Sequence, residues 1–288
     1  MIKEFKITSF YEFIDTIKVI KEDNKDDKIW YRGQSKSDYR LTPGIFRNVF
    51  SVADKFYNKV DVPKKANIFS NNGDYVVMPN MSHLFHRFKE CVDLSLFNIE
   101  NDVQILEIAQ HHGLPTLLLD WTTDPMIALF FAIGKIKLEC IYETSDQHAS
   151  VWLINPLKIN KITFNDENIK RIINSVDDYE MILQESRMLN GTFCFEGTKS
   201  HPRICRQSGN FTFTCPGIVW TLDFNSIYED CIYKIDIPYS AAISMQEILK
   251  LFDISDKTIF FGESIVDDSS HKIKEKELND FFRQLYIL

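Results

Sequence analysis

The chain has 288 residues, of which 44% are hydrophobic, so it can bury a substantial core without disulfides or structural metals. Its formal net charge is -8, with 41 acidic against 33 basic residues, which argues against a broad electropositive surface for duplex nucleic acid. A local basic cleft is compatible with this balance. No Pro/Gly/Ser-rich linker divides the sequence, so we expect one domain over residues 1–288.

The sequence lacks the patterns of secreted, membrane-spanning and metal-ribbon proteins. No run approaches about 20 consecutive apolar residues, and the N-terminal segment lacks the apolar core of a secretory signal. The six cysteines are irregularly spaced without a Cys-x-x-Cys pair, which disfavours a disulfide framework and a zinc ribbon. These patterns predict a cytoplasmic protein with no membrane contact and no bound metal.

Helical patterns dominate the first half of the chain. Apolar residues at helical spacing from Phe10 to Ile20 predict a helix, and the apolar run that begins at Ile29 predicts a strand. Turn-forming residues in the stretch of about 51–80 predict a loop-rich excursion. Further helices are expected at 83–97, 103–109 and 126–133.

Strand patterns are more frequent in the second half. Runs of β-branched and aromatic residues with partial alternation predict strands at 151–154, 204–214, 218–222 and 231–237. Two late helices are expected at 246–252 and 275–285. Helices mainly in the first half and strands mainly in the second indicate the α+β class.

The densest group of unusual residues spans 110–125. Its polar part contains the adjacent histidines His111 and His112, and three leucines then lead to Asp120. Polar groups at the edge of a buried element are typical of a functional site. The structural alternative has His111 bonded to a backbone carbonyl and Asp120 closing a turn. A metal site is disfavoured because adjacent histidine side chains diverge and no carboxylate lies at ligand spacing.

A second group, Trp30 to Gln34, ends a predicted strand with Arg32 and Gly33. An arginine fixed at a strand end can hold a phosphate or carboxylate through two hydrogen bonds, and the glycine allows a ligand or backbone to come close. The alternative is a partly buried ion pair between Arg32 and a protein group such as Asp120.

A third group, 202–213, has the pattern of a turn that leads into a strand. Gln207 in that turn either orients a ligand or closes the turn. The sequence contains no Gly-x-Gly-x-x-Gly, no Gly-x-x-x-x-Gly-Lys-Ser/Thr and no Gly-x-Ser-x-Gly motif. It therefore offers no support for a Rossmann site, a P-loop or a serine-hydrolase elbow.

Taken together, the three groups resemble the FRG domain family, named for a Phe-Arg-Gly motif. That motif appears in this chain as Tyr31-Arg32-Gly33, followed by Gln34. The resemblance covers nearly the whole chain, with its strongest parts at 110–116 and 118–122. Further matching segments are Leu41-Thr42-Pro43, Arg47, Ala128 to Ala132, Pro202-Arg203-Ile204, Gln207, Gly209 and Phe211.

The sequence departs from the family pattern at two positions and at its end. The family usually has an aromatic residue where His112 stands and an arginine where Leu117 stands. Loss of that arginine is expected to alter ligand choice. The typical ending of an aromatic residue, a proline and an acidic run is only approximated by residues 260–263.

The Tyr31-Arg32-Gly33 element also resembles the first-strand arginine motif of ADP-ribosyltransferases, which implies a split β-sheet core and NAD as substrate. By this resemblance Arg32 holds the pyrophosphate, while His111 and Tyr31 contact the ribose or nicotinamide. A late residue, Glu263 or its rival Gln207, stabilises the oxocarbenium-like ribose, and Asp120 positions His111 or Arg32. The expected NAD-binding set is completed by Gly33, Gln34, His112 and Thr116.

The resemblance leaves three classes of function open. The first is an NAD-dependent ADP-ribosyltransferase, an effector or toxin that modifies a nucleic-acid or protein acceptor. Such a protein could act in phage defence, and its expected partner is an antitoxin or a defence-system protein. The second is a non-catalytic sensor that binds a nucleotide or partner protein in the same cleft. The third is a nuclease that uses His111 and Asp120, which is disfavoured because no set of metal-binding carboxylates is evident.

Overall fold

The structure is a computed structural model that describes residues 2–25, 27–48, 50–53, 66–71, 74–92, 94, 99–111, 113–137, 147–165, 179–189, 191–198, 205–215, 221–259 and 276. Its strands are β1 (Lys3–Lys6), β2 (Trp30–Gln34), β3 (Phe50–Ala53), β4 (Ala66–Asn71), β5 (Asp74–Pro79), β6 (Leu118–Thr122), β7 (His148–Ile154), β8 (Thr192–Glu196), β9 (Gly209–Thr214) and β10 (Ile232–Pro238). Its helices are α1 (Phe10–Asp23), α2 (Met81–Cys91), α3 (Asp102–His111), α4 (Pro125–Ile133), α5 (Pro156–Phe164), α6 (Tyr179–Leu189), α7 (Tyr239–Leu251) and α8 (Asp256–Ile259). The α+β class is confirmed.

Local sequence signals explain where several of these helices begin. Ser9 caps α1, because its side chain accepts a hydrogen bond from the Glu12 backbone amide. Asp124 caps α4 in the same way through the Met126 amide, and Pro125 occupies the first turn. The predicted helix from Phe10 and the predicted strand after Ile29 are therefore confirmed. None of the described helices combines the length and hydropathy needed to cross a bilayer.

The distribution of elements differs from the sequence expectation. Strands β1 to β6 already precede residue 123, and α5, α6 and α7 follow it, so helices and strands mix throughout the described chain. The helix expected at 83–97 ends earlier, at Cys91. The strand expected at 218–222 lies partly outside the described residues, and Leu222–Phe224 forms a short 3-10 helix instead. The helix expected at 275–285 lies outside them except for residue 276.

Within the stretch of about 51–80, the described residues form strands where the turn residues predict a loop-rich excursion. Strands β3, β5 and β4 form a separate antiparallel sheet in that order. Asn71 pairs with Asp74 across β4 and β5, so the turn signal between them joins two paired strands. The physical reason is that a turn signal fixes a local reversal and does not report whether the flanking segments pair.

The main sheet runs in the order β1-β10-β7-β2-β6-β9-β8 and is antiparallel except for the parallel pair of β1 and β10. It is nearly divided between β2 and β6, which share only the residue pair Tyr31 and Thr122. By contrast, β2 pairs with β7 at five positions and β6 pairs with β9 at five. The sheet therefore consists of a four-stranded part and a three-stranded part that separate beyond Tyr31.

Three apolar clusters fill the two faces of this sheet. Helices α1, α4 and α7 cover one face of the four-stranded part, and α2, α3 and α6 cover the three-stranded part. The opposite face is shared by both parts, with Trp30, Trp121 and Trp152 at its centre. The helix-covered face is consequently divided at the same place as the sheet, between α3 and α4.

Candidate functional site

A small pocket of about 190 Å³ lies where the two parts of the sheet separate. The end of β2, the end of β6, the last residues of α3 and the start of β9 all contribute to its lining. Phe131 and Phe211 form part of its apolar wall, and its polar lining residues are Tyr31, Arg32, Gln110, His111, Asp120, Thr122, Gln207 and Asn210. We call this the polar pocket. Three parts of the sequence, 31–33, 110–131 and 207–211, thus meet at one break in the sheet.

Arg32 occupies the break itself. Its Nη1 donates to the main-chain oxygen of Asp120 at 2.7 Å, although β2 and β6 do not pair at these residues. The same nitrogen lies 3.9 Å from Asp120 Oδ2, and the arginine side chain is only 17% exposed. Burial lowers the pKa of Arg32 to about 10, an effect that Asp120 opposes and Arg47 reinforces. Arg32 is therefore cationic at neutral pH and is held by backbone more than by an ion pair.

Asp120 presents a partly accessible carboxylate to the pocket, with its side chain 42% exposed. Gln110 Nε2 donates to Asp120 Oδ2 at 3.3 Å, and Thr116 donates its hydroxyl to Gln110 Oε1. The Thr116 hydroxyl also accepts from the Leu118 amide at 3.0 Å. A chain of bonds from the start of β6 thus holds Gln110 and orients one oxygen of Asp120.

Several buried polar atoms of the pocket have no hydrogen-bond partner within the described part of the chain. They are Tyr31 Oη, Arg32 Nε, Asp120 Oδ1 and Gln207 Nε2. Native proteins rarely leave buried polar atoms unpaired, because each costs about 1–3 kcal/mol. The residues that carry these atoms line one pocket, which makes it the candidate site for a polar ligand.

The remaining walls are built from aromatic side chains and from the turn before β9. The His111 ring stands edge to face with Phe211, with ring centroids 5.9 Å apart. Gln207 precedes Ser208, whose positive φ of 48° forms the turn, and Ser208 accepts from the Thr123 amide at 3.3 Å. Burial raises the pKa of Tyr31 to about 12, with Asp124 adding to the effect, so the phenol stays protonated at neutral pH.

A larger cleft of about 1040 Å³ adjoins the polar pocket and shares Arg32, Gly33 and Phe131 with it. The cationic side chains of its described lining are Arg32, Arg40, Arg47 and Lys135, and its exposed aromatic residues are Tyr39 and Phe131. We call it the basic cleft. It is the kind of local basic surface that the acidic overall charge leaves possible.

The structure brings most of the predicted site residues together. Tyr31, Arg32, Gly33, His111, Asp120 and Gln207 all line the polar pocket. Gln34 does not. It lines the basic cleft, and its amide is held by the Arg40 carbonyl at 3.3 Å and by Trp152 Nε1 at 2.9 Å.

Thr116 and Gly33 have structural roles, and two further predicted residues lie outside the described chain. Thr116 is buried behind the pocket, where it supports Gln110. Gly33 lines the pocket, but its missing side chain makes room for α4, because a Cβ there would lie 1.9 Å from the Ala128 carbonyl oxygen. His112 and Glu263 lie outside the described residues, and their expected roles stay predictions.

Sequence reasoning assigned no individual role to Gln110 or Phe131. Gln110 stands beside the predicted histidines, so the need of the nearby Asp120 carboxylate for a donor would have suggested it. Phe131 lies in an apolar helix pattern that predicts core packing only. No group of three or more His, Cys, Asp or Glu side chains within the described chain is arranged to hold a metal.

Comparison with known proteins supports the resemblance to the FRG family. The family model of the FRG domain matches residues 27–139, so the chain carries an FRG domain over this segment. The segment contains β2, α3, β6 and α4 and therefore most of the polar pocket. Searches of curated proteins and of solved structures gave no match.

Proposed function

We propose that the polar pocket binds the nicotinamide riboside end of NAD and that the protein is an NAD-dependent ADP-ribosyltransferase. One observation carries this proposal: residues around a single pocket hold buried polar atoms that have no partner in the described chain. These atoms are Tyr31 Oη, Arg32 Nε, Asp120 Oδ1 and Gln207 Nε2. Each group of the pocket matches one part of NAD. The cation matches the diphosphate and the carboxylate matches the developing ribosyl cation. The amide matches the carboxamide of nicotinamide, and the phenol matches a ribose hydroxyl.

The dimensions of the pocket decide which part of the dinucleotide enters. At about 190 Å³ it is smaller than the roughly 300–1,000 Å³ typical of sites for drug-sized ligands. It suits one nucleoside end and not a whole dinucleotide. Arg32 lies at the boundary with the basic cleft, which suits a guanidinium that grips the diphosphate as it leaves the pocket.

The chemistry of the transfer follows from these groups. The bond between the ribose C1 and the pyridinium nitrogen of nicotinamide breaks, and its electron pair neutralises the ring nitrogen. The ribose carries the resulting positive charge, which the Asp120 carboxylate stabilises across the pocket. An O–H or N–H group of the acceptor forms the new bond to C1, and its proton passes to His111 or to water.

The split of the sheet beside Arg32 supports the ADP-ribosyltransferase-like core that the first-strand motif implies. Three parts of the proposal rest on the family resemblance alone. They are an effector or toxin role, a function in phage defence, and an antitoxin or other defence-system partner. The late carboxylate Glu263 is the rival candidate for stabilising the ribosyl cation in place of Asp120.

The test is a measurement of NAD binding and nicotinamide release with purified protein. We expect binding by calorimetry, slow nicotinamide release by the protein alone, and faster release with an added RNA, DNA or cell lysate acceptor. Binding without release under every condition would instead support a non-catalytic nucleotide sensor. Absence of NAD binding would end the proposal.

A further inference from the structure

The basic cleft concentrates positive charge on an otherwise acidic protein. Its described lining contains four cationic side chains and no Asp or Glu, while the chain as a whole carries a net charge of -8. A polyanion is therefore attracted to the cleft, although the protein as a whole is negatively charged. This contrast favours a ligand with several negative charges along its length.

Two of these cations have no carboxylate partner among the described residues. Lys135 is exposed and makes no ion pair there, and Arg47 only donates its Nε to the Thr42 carbonyl oxygen at 3.0 Å. Arg40 differs, because its Nη1 lies 3.3 Å from Asp223 Oδ2, and that carboxylate side chain is only 1% exposed. Lys135 and Arg47 are thus available for phosphate groups, and Arg40 is fixed in place.

Exposed aromatic rings accompany the cations. Tyr39 lines the cleft and is 49% exposed, and Phe131 at the junction with the polar pocket is 36% exposed. The Arg40 guanidinium carbon lies 4.5 Å from the centroid of Phe224. The guanidinium group of Arg40 is thus a further planar group, and a cationic one. Cations together with exposed planar groups are the features by which proteins hold single-stranded nucleic acid without reading a duplex groove.

We infer that the basic cleft binds a single-stranded nucleic acid, with phosphates on Arg47 and Lys135 and a base stacked on Tyr39. This inference rests on the proposed function for one step: because the cleft shares Arg32 and Phe131 with the polar pocket, the bound strand is the acceptor of the ADP-ribosyl group. The strand offers a base or sugar N–H or O–H group to C1 of the ribose, and nicotinamide leaves from the same carbon.

The ADP end of NAD offers the same chemistry, a base and phosphates, so the experiment must separate the two ligands. A fluorescent single-stranded oligonucleotide of about 12 nucleotides is titrated with the protein in the absence of NAD. Anisotropy is measured over a range of salt concentrations. We expect saturable binding whose logarithmic salt dependence has a slope of about -1.4, because each phosphate contact on a single strand contributes about -0.7.

Matched variants assign the binding to the cleft. Lys135→Glu should weaken binding and reduce the salt slope by about 0.7. Tyr39→Ala should weaken binding about tenfold and leave the slope unchanged, because stacking releases no counterions. The control is Lys18→Glu, since Lys18 is 71% exposed on α1 and lines neither the pocket nor the cleft.

The outcomes separate this inference from the proposed function. Failure of the oligonucleotide to bind, or equal weakening by Lys18→Glu, would overturn the inference even where NAD turnover is intact. Displacement of the oligonucleotide by saturating NAD would also overturn it and assign the cleft to the ADP end. Cleft-dependent binding that survives NAD supports it, and a mass increase of the strand on incubation with NAD identifies that strand as the acceptor.

Discussion

Arg32 and Asp120 meet across the break in the sheet, where Arg32 Nη1 lies 2.7 Å from the Asp120 main-chain oxygen and 3.9 Å from its carboxylate Oδ2. The shorter contact is the one to the backbone, so the guanidinium takes a place that a strand-to-strand bond would otherwise fill. One oxygen of the carboxylate and one nitrogen of the guanidinium, Nε, remain without partners in the described chain. The pair therefore holds the pocket open and retains bonding capacity for a ligand.

Replacement of Arg32 by lysine should cripple NAD use while the protein stays folded. Lysine keeps the charge and one donor for the Asp120 carbonyl, but it loses the planar fork that binds two phosphate oxygens. We expect a loss of NAD affinity of at least about tenfold with a small change in thermal midpoint. Arg87→Lys on α2, where Arg87 pairs with Glu90, is the control. Full turnover by well-folded Arg32→Lys would remove Arg32 from the NAD site.

Replacement of Asp120 by asparagine should lower turnover more than binding. The main-chain bond to Arg32 is kept, and the amide oxygen can still accept from Gln110, but the negative charge that stabilises the ribosyl cation is lost. We expect kcat to fall by about 10²-fold with a modest change in KM. A change in KM alone would instead indicate that Asp120 only positions Arg32.

Removal of the Tyr31 hydroxyl distinguishes a ligand-binding role of this group from a structural role. It is buried without a partner in the described chain, so Tyr31→Phe should leave the thermal midpoint unchanged or raise it. If the hydroxyl bonds NAD, the same substitution should weaken NAD binding by about 0.5–1.5 kcal/mol, or roughly 2- to 12-fold. Thermal unfolding and calorimetry on one preparation test both effects. A loss of stability without loss of affinity would contradict the ligand role.

Gly33 should be intolerant of any side chain because of packing. A Cβ at this position would lie 1.9 Å from the Ala128 carbonyl oxygen and 2.5 Å from the Ala132 amide nitrogen, both of which are backbone atoms of α4. Gly33→Ala is expected to destabilise the fold by at least about 1–3 kcal/mol in chemical denaturation. Gly44→Ala is the matched control, since its Cβ would meet nothing closer than 3.4 Å. Equal stability of the two variants would be inconsistent with this packing.

Glu107 should make the stability of the protein pH-dependent. It is fully buried on α3, where its carboxylate accepts from the backbone amide and hydroxyl of Thr198. Burial raises the pKa of Glu107 from 4.5 to about 7, and the Thr198 bonds oppose the shift. The folded state therefore binds this proton more tightly than the unfolded state, so stability falls as pH rises from about 4.5 to about 7.

The variant Glu107→Gln tests this dependence because it keeps an acceptor for Thr198 and removes the titrating group. The wild type should lose stability relative to the variant between about pH 4.5 and pH 7, by an amount of up to about 3 kcal/mol. Denaturant unfolding at several pH values measures the difference. Parallel stability curves for the two proteins would show that Glu107 does not titrate in this range.

The sequence alone determined the elements whose signals are local. The apolar spacing of α1, the cap and proline that begin α4 and the aromatic strand before Arg32 all follow from interactions within a few residues. The residue groups around Arg32, His111, Asp120 and Gln207 could likewise be selected as unusual combinations, and the structure places them at one pocket. The signals at 51–80 were also local, but they marked turns and not the pairing of β4 with β5.

The tertiary structure decided how these groups are arranged. Strand order and register depend on contacts between distant segments, so the single pair that joins β2 to β6 could not be read from either strand. The same holds for Gly33, whose smallness serves the packing of α4, and for Gln110, which orients Asp120. The basic cleft combines Arg40, Arg47 and Lys135 from separate segments, because a surface potential is a property of folded geometry and not of net charge.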